Sequence, residues 1–257
     1  MIHVVLGTDF PAPDLDSGKD LYALTDGMSA ERIMAAGLQT AYSYGMTSEK
    51  SNRWRWVIPQ RRSVIPIGNV YMSTTTRQMI QKLNWTITFN QCFSRVMDIC
   101  AHIPRYSDDI EFYVEGDDEL APGSWLDVPT VAAYTELNLQ GKSYSIEVWD
   151  GENLIGGLFG VYHNPIVTVE SMFSLRNSAS KAAMLALEQW AYDSDVSYID
   201  CQEPSTHISS MGAELMPRAD FLTLRNTTTG GNFMGMPHEP LSTHYLVLLK
   251  RKLNGKA

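Results

Sequence analysis

Residues 143–173 read SYSIEVWDGENLIGGLFGVYHNPIVTVESMF, and the fold class follows from them. Tyr144, Ile146 and Val148 alternate with more polar neighbours, the period of a strand with one face buried. The run ends in Asp150-Gly151, a dipeptide suited to a tight hairpin turn. Leu154 to Tyr162 is apolar and glycine-rich and reads as the return strand. Asn164-Pro165 marks the next turn, and Ile166 to Phe173 reads as a third strand. Ser178 to Tyr192 then changes period, with Ala179, Ala182, Ala183, Leu187, Trp190 and Ala191 spaced as one helical face. Ser197 to Gln202 reads as a short strand, and His244 to Leu249 as a last one. Strands in sequence, then a helix, then another strand predict an α+β fold with a mixed, mainly antiparallel sheet flanked by helices.

Upstream, Ser29 before Glu31-Arg32-Ile33-Met34 predicts a capped amphipathic helix. Short strands are expected within 63–73 and at Trp85 to Phe89, and helices at Thr74 to Leu83, Asn90 to Cys100 and Val128 to Leu139. The 257 residues have room for one large domain, or an ordinary one with a small one. We read a small N-terminal α/β unit over 1–73 and the main domain over 74–257, with an insertion at about 106–122.

Charge is segregated. Residues 108–119 (DDIEFYVEGDDE) carry seven acids and no base, leaving −2 of the total −9 for the other 245 residues. Residues 50–62 (KSNRWRWVIPQRR) carry five bases and no acid, so a polyanion can approach one face despite the acidic total. Arg53, Trp54, Arg55, Arg61 and Arg62, with Trp56, form the basic and aromatic pattern that single-stranded nucleic acid needs. Arg77 and Lys82 add to it from the following helix. Three cysteines without a CxxC pair argue against a disulfide framework, and six scattered histidines show no metal-ligand spacing. No apolar run approaches a membrane span, and Met1 to Phe10 lacks the features of a signal peptide. A cytoplasmic monomer without membrane contact and without a cofactor is expected.

A series of short motifs adds a resemblance. Tyr144-Ser145-Ile146-Glu147-Val148-Trp149 is followed by Gly156-Gly157-Leu158-Phe159-Gly160-Val161, Glu170-Ser171-Met172-Phe173-Ser174 and Ala179-Ser180-Lys181. Then come Ile199-Asp200-Cys201-Gln202, His207, Ser210-Met211-Gly212-Ala213-Glu214 and Pro217-Arg218. In this order they resemble the leucyl/phenylalanyl-tRNA–protein transferases, and the element order is similar to the core of GCN5-related acyltransferases. The resemblance implies transfer of an amino acid from aminoacyl-tRNA to an amine, with the N-terminus of a protein as acceptor. It implies a reaction centre at Asp200, Gln202 and Glu170. Alternation on a strand would turn Asp200 and Gln202 to the same side. Asp200 would orient Gln202 or assist proton removal, Gln202 would hydrogen-bond the reacting groups, and Glu170 would hold an amine or ammonium. Which residue acts as base stays open. Leu158, Val167, Met172, Met184, Leu187 and Ile199, with Ser180 beside them, match the donor side-chain pocket, and Trp125 matches a tryptophan that stacks on the terminal adenine.

Departures cluster where tRNA would lie. A second stacking tryptophan of the family is Glu49 here, and the helix at 74–83 keeps only Arg77 and Lys82 of a basic set. Two readings follow: tRNA is gripped instead by the 50–62 segment, or the enzyme acylates a small-molecule amine. A protein that only binds a partner is a third, against which the retention of Asp200, Gln202 and Glu170 argues.

Overall fold

A computed structural model of the chain describes residues 2–47, 53–103, 125–228 and 235–254. Glu49, Lys50 and the acidic stretch 108–119 lie outside them. β1 (His3–Val5) pairs in parallel with β2 (Leu21–Thr25), and α1 (Ala30–Leu38) follows, with the Ser29 hydroxyl accepting the Arg32 amide at 3.3 Å. β3 (Tyr42–Met46) and β4 (Trp54–Val57) complete a sheet ordered β1-β2-β4-β3. Next come β5 (Arg61–Pro66), α2 (Thr74–Leu83), β6 (Thr86–Phe89) and α3 (Phe93–His102). α4 (Val128–Leu139) starts where the Asp127 carboxylate takes the Thr130 amide at 2.8 Å and Pro129 needs no donor of its own.

β7 (Ser143–Asp150) and β8 (Asn153–Val161) form the expected hairpin, followed by β9 (Ile166–Thr168), β10 (Ser171–Ser174) and α5 (Ala179–Asp193). The chain continues through β11 (Tyr198–Asp200), α6 (Thr206–Ser209), β12 (Glu214–Pro217), α7 (Arg218–Thr227), β13 (Leu241–Ser242) and α8 (Thr243–Asn254). Two further sheets run β10-β8-β7-β6-β13 and β12-β5-β11-β9. The fold is α+β, as expected. β5 is hydrogen-bonded between β11 and β12, so a strand from the first 73 residues sits inside a sheet whose other strands lie between residues 166 and 217.

Two expectations are corrected. The stretch Ile166 to Phe173 is not one strand, because the chain changes sheets within it. The Val169 amide donates to Asp200 in β11, and the next amide, Glu170, donates to Phe159 in β8. The second correction is His244 to Leu249, which is helical. Thr243, Leu246, Val247 and Lys250 are the buried positions, an i, i+3, i+4, i+7 spacing that outweighs the β preference of the apolar run. The Lys250 ammonium donates to Glu188 of α5 at 2.7 Å, and the same carboxylate takes the Gly68 and Val70 amides.

Candidate active site

The sheet switch puts Glu170 beside the end of β11, and the residues around it form one hydrogen-bonded chain. Asp200 is buried at 1% exposure. Arg62 grips both its oxygens, Nε to Oδ1 at 2.8 Å and Nη2 to Oδ2 at 2.6 Å. Oδ1 also accepts the Gln202 amide at 2.9 Å. Gln202 does not continue the strand; its φ is +63°, a left-handed conformation that costs a non-glycine residue about 1–2 kcal/mol. Its side chain therefore reaches Glu170 by a backbone turn rather than by strand alternation. Nε2 donates to Glu170 Oε2 at 2.8 Å, where the Tyr134 hydroxyl also donates at 2.9 Å. The Thr168 hydroxyl donates to Oε1 at 2.6 Å. Burial pushes the Glu170 carboxyl above its ordinary range, against the pull of these three donors.

Such a chain can receive an amine. Glu170 is a desolvated carboxylate anchored from two sides, and Gln202 has one amide end committed to it, which leaves the carbonyl end for an incoming N–H. Asp200 has both oxygens engaged by a guanidinium, an arrangement suited to holding Gln202 rather than to collecting protons. Beside Glu170 stands an aromatic group. Trp125 lies nearly parallel to Phe159, at 6.4 Å and 19°, and edge-on to Tyr134 at 6.1 Å. Trp125 is half-buried, and Gly45, at φ +82°, lies where a Cβ would come within 3.1 Å of the Trp125 Cα. A narrow cleft with about 420 Å³ of empty space, its open mouth included, runs past Tyr42, Arg62, Tyr134 and His163 to Glu170 and Asp200.

The family model for leucyl/phenylalanyl-tRNA protein transferase matches residues 64–226, which include the whole of this chain from Asp200 to Glu170 and Tyr134. A leucyl/phenylalanyl-tRNA–protein transferase of Shewanella baltica (strain OS223) is 34% identical over 217 residues, 84% of each chain. The protein belongs to this family. The transferase of Psychrobacter cryohalolentis is 30% identical over 244 residues, 93% of this chain and 87% of its own. Among solved structures, L-PGS from Bacillus licheniformis aligns over 91% of this chain and 74% of its own at 8% identity, with a TM-score of 0.36.

In this transferase-family chain the apolar set lies in one core. Leu158, Val167, Met184, Leu187 and Ile199 are fully buried, and Met172 is partly buried against them. Ser180 is buried with its hydroxyl 3.3 Å from His207 Nε2. The basic segment is where sequence and structure part. Trp54, Arg55 and Arg62 do not form a solvated basic surface; β4 and β5 bury all three, and Trp56 with them. The Trp54 indole donates to Asp127 at 2.9 Å, and Trp56 donates to Thr25 at 3.0 Å. Arg55 lies over the Tyr44 ring and donates to the Tyr44 and Met46 carbonyls. Arg53, Arg61 and Lys82 are exposed, and Arg77 is half-buried with Nε on the Met72 carbonyl. Among the described residues no cluster of His, Cys, Asp and Glu could hold a metal ion, and no helix is long and apolar enough to cross a membrane. Sequence reasoning overlooked Tyr134 and Thr168 as partners of Glu170, and it counted the buried Arg62 among the residues that meet nucleic acid.

His163, against the α1 glycine Gly37, makes stability depend on pH. Burial, with Arg225 and Arg62 nearby, lowers its imidazole from 6.5 to about 3. As pH falls from 6.5 towards 3, the unfolded chain takes up a proton that the folded chain refuses. This group therefore lowers stability by at most about 1.4 kcal/mol per pH unit in that window, and has no such effect above it. Urea unfolding at pH 7.5 and pH 5 should show a larger loss for the wild type than for His163→Asn. Equal losses would contradict the assignment.

Proposed function

We propose that this protein transfers the amino acid of an aminoacyl-tRNA to the N-terminal amine of a protein. The observation that carries the reading is the Glu170–Gln202–Asp200 chain, buried at a sheet switch in a member of this family. The amine nitrogen attacks the ester carbonyl and the new C–N bond forms. The C–O bond to the terminal ribose breaks, and the proton lost by nitrogen ends on the leaving ribose oxygen. Glu170 and the Gln202 carbonyl hold the attacking amine through its N–H groups, so two reactants meet in one fixed geometry. An ionised Glu170 is needed for this, so transfer falls as pH drops through its raised titration.

The half-buried Trp125 is the proposed platform for the terminal adenine, on the ring face turned away from Phe159. The donor side chain is proposed to enter beside Met172, the member of the apolar set that is not enclosed. Of the residues proposed to meet tRNA, the exposed Arg53, Arg61 and Lys82 fit that task.

The test offers a panel of individually charged tRNAs to the protein with three acceptors: a peptide with a free N-terminus, the same peptide acetylated, and small primary amines. Consumption of a charged tRNA with the free peptide alone supports the reading. Consumption with small amines alone replaces the acceptor, and no consumption with any pair ends the proposal.

A further inference from the structure

Gln202 is held in its left-handed conformation from both ends by one strand. The Ser63 amide of β5 donates to the Gln202 carbonyl at 2.9 Å, and the Cys201 amide donates to the Ser63 carbonyl at 2.8 Å. The residue before Ser63 is Arg62, and through Asp200 Oδ1 it fixes the acceptor of the Gln202 amide. The guanidinium is itself pinned. Its Nη1 donates at 3.0 Å to the carbonyl of Thr40, a residue at φ +65° just after α1. Its carbon lies 4.7 Å from the centre of the Tyr42 ring and 5.0 Å from that of Phe221. One side chain thus gathers α1, β3, β11 and α7 at the turn that aims Gln202.

We infer that Arg62 is a positioning residue for the transfer, setting the place of the Gln202 carboxamide through Asp200. This rests on the transfer reading above. A left-handed glutamine persists only where its surroundings dictate it, and here the two neighbouring residues Arg62 and Ser63 dictate both its amide and its carbonyl. A planar guanidinium can bond two carboxylate oxygens and a carbonyl at once; a lysine ammonium at the same place is a single point and loses the fork. The substitution Arg62→Lys keeps the charge and releases the geometry, which separates positioning from simple charge balance. Arg62 is 3% exposed, so this role excludes a direct grip on tRNA.

The experiment compares wild type, Arg62→Lys, Asp200→Asn and the double variant in the transfer assay over a range of charged-tRNA concentrations. Arg62→Lys is expected to lower kcat by about 10²-fold, the scale of an ångström of misplacement, with KM for charged tRNA within about twofold. Because both residues act through one path, the double variant is expected to be no worse than the poorer single one by more than about threefold. Multiplying losses in the double variant, or wild-type kcat in Arg62→Lys, would overturn the inference. So would a raised KM with a shallower salt dependence, the mark of a phosphate contact. Amide hydrogen exchange at Gln202 supplies an arm independent of turnover. Faster exchange there in Arg62→Lys, with Ile65 and Ile199 still protected, supports the inference; unchanged exchange at Gln202 removes it. Failure of the wild type to transfer would instead strike the functional reading alone.

Discussion

Replacing Gln202 with alanine is expected to lower kcat for aminoacyl transfer by about 10²- to 10³-fold, the range found when one preorganised hydrogen-bonding group is removed from a reacting centre. The carboxamide is the link between Glu170 and the turn at the end of β11, so its loss leaves Glu170 held by Tyr134 and Thr168 but without its neighbour for the amine. The fold should tolerate the change. The Arg62–Asp200 pair is untouched, the Gln202 backbone amide still has Oδ1 as acceptor, and Ser63 still bonds the carbonyl. KM for charged tRNA should stay within about threefold, because the lost contact is made at the reacting end. Steady-state kinetics with a thermal melt would check both statements. A variant with wild-type kcat would take Gln202 out of the mechanism.

The second large effect falls on stability. Gly160→Ala is expected to destabilise the fold by about 3–5 kcal/mol, at the upper end of what overpacking produces. A Cβ on Gly160 would stand 1.8 Å from the Thr168 carbonyl oxygen and 2.6 Å from the Tyr144 hydroxyl. Neither neighbour can step aside cheaply. The Tyr144 hydroxyl donates to that same carbonyl at 2.7 Å, and Thr168 is registered against Asp200 in the β9–β11 ladder. Moving Thr168 also moves the hydroxyl that bonds Glu170, so the folded fraction should lose transfer as well. Gly18, with open space around it, is the control, and its alanine variant should change stability by less than about 0.5 kcal/mol. Urea denaturation of the two variants measures the difference. Equal midpoints would mean that the close approach of β8 to β9 is not what fixes the switch.

The sequence made some of this legible and hid the rest for identifiable reasons. The β7–β8 hairpin and α5 could be read because period 2, a strong turn dipeptide and period 3.6 succeed one another without ambiguity. Glu170 and Gln202 stood out only through the order of motifs; nothing local marks them. The break at Val169–Glu170 carries no glycine or proline, since it arises from a change of partner strand rather than from a turn. α8 looked like a strand because Tyr245 to Leu249 is an unbroken apolar and aromatic run. Its helical period appears only when Thr243 and Lys250 are counted as inward positions.

Arg62 is the most instructive case. In a run with Arg53, Arg55 and Arg61 it was counted as surface charge, yet β5 turns Arg61 outward and Arg62 inward. Its carboxylate partner stands 138 positions away, beyond the reach of any local pattern. A buried arginine requires such a partner, so an arginine entering the apolar run Val64-Ile65 is itself a signal.

The most direct test of the central claim is the mass of a peptide with a free N-terminus after incubation with the protein and charged tRNA. A gain of one aminoacyl residue on the α-amine is expected, lost with an acetylated peptide and reduced at least about a hundredfold in rate by Gln202→Ala. An unchanged peptide mass across the whole panel of charged tRNAs would contradict it.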